Sequence, residues 1–170
     1  MARKVILPVE LSRRLDKLTR LREEVKGVLF YQQRGEYCPL ETMFMTAVGD
    51  EGHVQAIPER LDLVNEFFRR NPQYGYVEFH THSFGTIARY GPYYARNFSS
   101  GDMDSLRDKL DHDERYIHML VTPETKLLWG SDNPELIIRS DFPIKNHVDL
   151  AIGIIARNRG INIGSLGAHS

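Results

Sequence analysis

The run Gly75-Tyr76-Val77-Glu78-Phe79-His80-Thr81-His82 decides how this chain is read. Tyr76, Val77 and Phe79 give Gly75 to Thr81 the apolar content of a buried strand. Side chains on a strand repeat every two residues, so His80 and His82 at its end point to one face. The same i, i+2 spacing on a helix would carry the two rings apart. After a long intervening segment comes Ser99-Ser100-Gly101-Asp102. A serine with an acid three residues on is the signature of a capped helix start. Two imidazoles and one carboxylate leave one tetrahedral position of a zinc ion open, as catalytic rather than structural zinc requires.

Working outward from that strand, Lys4 to Leu7 reads as a short strand closed by Pro8. Val9 to Leu21 reads as an amphipathic helix with Leu11, Leu15, Leu18 and Leu21 on its buried side. Strands are expected at Val25–Gln32 and Leu40–Val48, with a short one at His53–Ile57. Pro58 opens a helix to Arg70, with Leu61, Val64, Phe67 and Phe68 inward. Ser83 to Phe98 reads as a loop, carrying Gly85, Gly91 and Pro92 among Tyr90, Tyr93, Tyr94 and Phe98. Ser99 then caps a helix through Leu106 and Leu110. Strands at Arg115–Thr122, Lys126–Gly130 and Leu136–Arg139 precede a closing helix at Lys145–Asn158. Strands and helices mix without strict alternation, which predicts a mixed-sheet α/β or α+β domain over residues 1–160. Residues 161–170, rich in Gly and Ser, read as a mobile tail.

A chain of 170 residues can build one domain with a sizeable core. Its composition, 41% hydrophobic and 26% charged, is that of a soluble globular protein. The net charge of −1 gives no electrostatic footprint for nucleic acid. Helix 9–21 has a basic side, but Glu10, Asp16 and Glu23 intersperse it, so it reads as a solvated face. Cys38 is alone, which excludes an internal disulfide and a cysteine-based zinc site. The apolar run after Met1 is too short for a signal peptide, and none approaches a membrane span. These observations predict a cytoplasmic protein with no membrane partner.

Each candidate ligand also has a plain structural role open to it. An isolated His-x-His fits a buried or surface pair, and Ser99-x-x-Asp102 fits simple capping. The two roles of Asp102 are compatible, because a capped helix start fixes its carboxylate. Asp104 competes with Asp102, but lies roughly 200° around the helix, so both cannot face the histidines. Ser99, at the same helix end, can donate its hydroxyl proton to a developing oxyanion. A zinc hydrolase also needs a base for the attacking water. Glu24 heads the strand Val25–Gln32, and Gly27 in that strand allows close approach of another group. Spacing alone does not separate Glu24 from Glu23. His118, inside an apolar strand, reads as a satisfied core residue.

Taken together, Glu24-Val25-x-Gly27, His80-x-His82 and Ser99-x-x-Asp102 resemble the motif of the JAMM (MPN+) zinc metalloproteases, and the resemblance covers most of the chain. It implies the family's cytidine-deaminase-like three-layer fold, a curved mixed sheet flanked by helices. It implies zinc held by His80, His82 and Asp102 with water as fourth ligand, Glu24 as general base and acid, and Ser99 as oxyanion stabiliser. Its substrates would be bonds after the C-terminal Gly-Gly of ubiquitin-like or sulfur-carrier proteins. The substrate tail would lie extended against a strand near the site.

Two features depart from the family pattern. Ser83 stands where proline often follows the second histidine, and the segment 83–98 is longer than the family's usual run. That segment can be a lid, a rim gripping substrate through Tyr and Arg, an indel-tolerant loop, or a self-association surface forming a homodimer. Two alternatives to the protease reading stay open. One is a non-catalytic scaffold binding a ubiquitin-like partner. The other is a metalloenzyme on the same fold acting on a small substrate.

Overall fold

The computed structural model describes residues 1–49 and 57–163. Among the described residues, seven strands form one mixed sheet: β1 (Lys4–Pro8), β2 (Val25–Gln32), β3 (Tyr37–Val48), β4 (Tyr74–Thr81), β5 (Ile117–Val121), β6 (Lys126–Gly130) and β7 (Glu135–Arg139). Their spatial order is β6-β5-β4-β2-β3-β1-β7. β2 runs antiparallel to β3 and β4, and β4 runs parallel to β5. β1 runs parallel to both β3 and β7. The edge strands β6 and β7 come into contact, so the sheet curls almost closed.

Six helices among the described residues accompany it: α1 (Val9–Leu18), α2 (Pro58–Arg70), α3 (Phe84–Tyr90), α4 (Pro92–Arg96), α5 (Ser100–His112) and α6 (His147–Asn158). The alternation of the strands sorts their residues into two cores. Odd positions Val25, Leu29, Val77, Phe79, Ile117 and Met119 join Leu11, Leu15 and Leu18 of α1. Even positions Val28, Phe30, Phe44 and Tyr74 join Leu63, Val64 and Phe67 of α2 and Val148, Ile152 and Ile155 of α6. A mixed α+β sheet with helices on both faces is therefore present, as expected.

Several expectations need correction. α1 ends at Leu18, where the backbone N–H groups of Thr19 and Arg20 turn back onto the carbonyls of Asp16 and Lys17, so Leu21 packs from outside the helix. Leu61 points to solvent and Leu63 takes the inward place, because α2 presents the 60–63–64–67 stripe to the sheet. β3 begins at Tyr37 rather than Leu40, and α6 at His147 rather than Lys145. The segment 83–98 is not a loop but carries α3 and α4. Apart from Ile57, the expected strand His53–Ile57 lies outside the described residues. Ile161 and Ile163 of the expected tail pack against the α2–α6 core, and residues 164–170 lie outside the described range. No helix among the described residues is long and apolar enough to cross a membrane.

Gly27 matters to this arrangement for a local reason. A Cβ there would sit 2.6 Å from the Phe79 ring and 2.7 Å from the Phe44 carbonyl oxygen. The close approach anticipated at this glycine is made by the protein's own core. Gly27→Ala should cost about 1–3 kcal/mol of stability by overpacking, read as a lowered urea midpoint.

Candidate metal centre

One face of β4 changes character along its length. Tyr74 and Tyr76 belong to the apolar region under α2 and α6. Glu78, His80 and His82 continue the same row toward the strand's C-terminal end. Pairing places Lys26 of β2 across from His80, and His118 of β5 across from Glu78. This polar half of the face opens into a cavity of about 460 Å³ whose lining includes Glu24, Lys26, His80, His82, Ser99, Asp102, Lys109 and His118. β4 and β5 are parallel neighbours joined through α3, α4 and α5, and the cavity lies toward the carboxyl end of β4.

His80, His82 and Asp102 converge there with one ligating atom each, and the arrangement could hold a metal ion. His80 Nε2 lies 3.3 Å from His82 Nε2. Asp102 Oδ1 lies 3.4 Å from His80 Nε2, and its Oδ2 3.5 Å from His82 Nε2. These carboxylate contacts are long for hydrogen bonds, whose N···O distances run to about 3.2 Å. Burial works against the Asp102 carboxylate, yet the two imidazoles and the Ser99 backbone N–H hold it well below the usual carboxylate range. Asp104, the competing acid, is exposed beside Arg107 and takes no part.

The helix start shows the capping role considered for Ser99-x-x-Asp102. Ser99 Oγ accepts the Asp102 N–H at 3.0 Å, and Asp102 Oδ2 accepts the Ser99 N–H at 2.7 Å. This capping box fixes the carboxylate against the histidines and leaves the Ser99 hydroxyl its own proton to donate. Glu24 is 4% exposed and lines the cavity, whereas Glu23 faces solvent, so the fold separates two acids that spacing did not. Burial raises the Glu24 carboxyl above its usual range, opposed by the Thr86 hydroxyl and by the two histidines.

Partners behind the ligands were less legible. His80 Nδ1 lies 2.6 Å from His118 Nε2, and His118 Nδ1 lies 2.7 Å from the Tyr116 hydroxyl. With His80 Nε2 turned to a metal, His80 donates from Nδ1, His118 accepts, and His118 donates onward to Tyr116. The Tyr116 hydroxyl also accepts from Lys109 Nζ at 3.3 Å, and Lys109 and Lys26, the latter at 2.8 Å, both pair with Glu78. Full burial drives the His118 imidazole well below its usual pKa, so it stands neutral and able to accept. His82 Nδ1 lies 3.3 Å from the Ala95 carbonyl, and its ring stacks on Tyr94 at 5.4 Å and 15°. His118 is thus satisfied, as its apolar surroundings suggested, but by a candidate ligand. The available signal was Tyr116 two residues earlier on the same strand face.

No protein-family model and no curated protein matches the chain. Among solved structures it is similar to the solution structure of protein DSY2949 from Desulfitobacterium hafniense. That similarity has a TM-score of 0.54 at 15% identity and covers 85% of this chain and 97% of the other. It concerns the fold alone.

His118→Phe removes the acceptor of the His80 Nδ1 proton while keeping a ring in place. The affinity for a divalent metal ion should fall about 10–100-fold, measured by competition with a chromophoric chelator. An unchanged affinity would show that His80 needs no such partner.

Proposed function

We propose that this chain is a zinc-dependent hydrolase of the JAMM type, cleaving the bond after the C-terminal Gly-Gly of a ubiquitin-like or sulfur-carrier protein. The observation that carries the reading is the convergence of His80, His82 and Asp102 beside the buried Glu24 in one cavity. A tetrahedral ion with bonds of about 2.0–2.1 Å has ligand–ligand edges of about 3.3–3.4 Å. The His80–His82 contact of 3.3 Å matches such an edge, and Asp102 turns one carboxylate oxygen to each ring, Oδ1 at 3.4 Å from His80 and Oδ2 at 3.5 Å from His82. An all-nitrogen and oxygen donor set with two imidazoles suits zinc better than magnesium or calcium. Zinc bound there would supply a Lewis acid and a water with a pKa near 7.

The chain's own groups would do the rest. Glu24, ionised, takes the proton of the attacking water and then delivers it to the leaving amine. Its burial favours that return, because a carboxyl with a raised pKa holds a proton well enough to carry it. Ser99 donates its hydroxyl proton to the oxyanion that forms on the scissile carbonyl. Asp102 and the two histidines keep their places through the capping box, the Ala95 carbonyl and His118.

One observation favours the small-substrate alternative. β4 is paired on both sides, by β2 and β5, and the unpaired sheet edges among the described residues belong to β6 and β7. An extended tail cannot add itself to the strand that carries the histidines. It would have to cross the cavity beside α5, and a compact acyl substrate needs no strand at all.

A fusion carrying a Gly-Gly junction tests the main reading. The zinc-loaded protein should cut it, chelation should stop cleavage, and Glu24→Gln should lower kcat by about 10²–10⁴-fold with zinc still bound. Cleavage that survives chelation would refute the mechanism. An unreactive fusion beside a hydrolysed N-acyl dipeptide would transfer the function to the small-substrate reading.

The pH profile follows from the direction of the Glu24 shift. Its raised pKa keeps the base protonated, and idle, further up the pH scale than an ordinary glutamate. The acid limb of kcat/KM should therefore lie above the usual carboxylate range, with activity lost as pH falls through it. A limb at or below that range would contradict Glu24 as the base.

A further inference from the structure

The segment between His82 and Ser99 is tied to the base as closely as the metal ligands are to one another. Thr86, fully buried in the first turn of α3, places Oγ1 2.9 Å from Glu24 Oε1. The direction of that bond is set by its neighbours. The Ser83 hydroxyl lies 2.8 Å from the Arg22 carbonyl oxygen, which can only accept, so Ser83 spends its proton there. Ser83 N–H donates to Thr86 Oγ1 at 3.2 Å, and Thr86 N–H donates to Ser83 Oγ at 3.4 Å. With its lone pair facing Ser83 N–H, the Thr86 hydroxyl keeps one proton, and the Glu24 carboxylate is its nearest acceptor. The chain runs Ser83 N–H to Thr86 Oγ1, and Thr86 O–H to Glu24.

The backbone closes this clamp from three sides. Phe84 N–H donates to the Thr19 carbonyl at 3.0 Å, anchoring α3 to the end of α1. Gly49 N–H donates to the Glu24 carbonyl at 2.8 Å, and Val25 N–H to Thr81 Oγ1 at 2.9 Å. Further along the same segment, α4 supplies Ala95 and Tyr94 to His82. Swinging α3 and α4 away would strip a hydrogen bond from the buried carboxylate and another from a candidate ligand.

We propose that Thr86 is a positioning residue for Glu24, and that residues 83–96 form a fixed wall of the catalytic centre rather than a lid. This rests on the reading of Glu24 as the general base. The Thr86 hydroxyl pins one carboxylate oxygen, which fixes the side chain's rotation and leaves the other oxygen for the proton in transit. It also keeps the buried carboxylate ionised more readily than burial alone would. The exposed lining of the cavity, Ser100, Gly101 and Ser105, lies across from this wall on the α5 side, and a fixed wall leaves that side for substrate.

Thr86 also belongs to the α3 capping box, so a variant could act through folding. A double-substitution cycle separates the two roles without requiring activity. Melting temperatures are measured for the zinc-loaded wild type, Thr86→Val, Glu24→Ala and the double variant. Coupling through the hydrogen bond predicts that Thr86→Val lowers the melting temperature by at least about 2 °C more when Glu24 is present than when it is absent. Additive shifts would reduce Thr86 to a cap and overturn the proposal, whatever the protein cleaves. On a cleavable substrate, Thr86→Val should lower kcat about tenfold or more at unchanged zinc content and KM, and Thr86→Ser should restore it. A Thr86→Val enzyme with wild-type kcat per bound zinc would likewise overturn it. Failure of the wild type to cut any acyl substrate would count against the hydrolase reading alone, since the melting cycle still decides the clamp.

Discussion

The structure depends on two buried imidazoles and one part-buried carboxylate set against each other over the polar half of one sheet face. Each such group, left unpaired, would cost about 1–3 kcal/mol, and more if charged. The surroundings are arranged to prevent that. β4 brings His80 and His82 to one side, the α5 cap holds Asp102 opposite, and each imidazole gives its remaining ring nitrogen to a fixed partner. Glu78, between Lys26 and Lys109, closes the network at its inner end, where the two ammonium groups outweigh burial and keep its carboxylate below the usual range.

This constraint explains why the sheet face divides. Where α2 and α6 cover it, Val28, Phe30 and Tyr74 fill the space by ordinary packing. Beneath α5, which buries only Leu106, polar groups remain and a cavity persists. Filling that half with apolar side chains would extend the core and remove the cavity. His80 and His82 therefore occupy buried positions that stability alone would assign to valine or leucine, and such local conflict is a mark of a functional site.

The sequence was most legible where a period was long and unbroken. Val25–Gln32 and Pro58–Arg70 emerge with the expected bounds, because β-branched and aromatic runs and an N1 proline are strong signals. The strand reading of 75–81 sufficed to bring His80 and His82 together, and helix geometry separated Asp102 from Asp104. Glu24 could not be told from Glu23 locally, since the difference arises from the turn at Gly49 and from Thr81, far away in the chain. α3 and α4 escaped notice for another reason. At seven and five residues they are too short for hydrophobic periodicity, and the α3 cap ends in threonine rather than glutamate or glutamine. Gly91, at a φ of 88°, marks the break between them and reads in sequence as a simple turn.

The central claim is that His80, His82 and Asp102 form one metal centre, and zinc K-edge X-ray absorption on the stoichiometrically loaded protein addresses it directly. The account predicts one zinc per chain in a four-coordinate shell of nitrogen and oxygen near 2.0 Å, with the outer-shell signature of two imidazoles. Both imidazole contributions should diminish to one in His82→Ala. Sulfur scattering from Cys38, a six-coordinate all-oxygen shell, or a signal indifferent to His82 would contradict it.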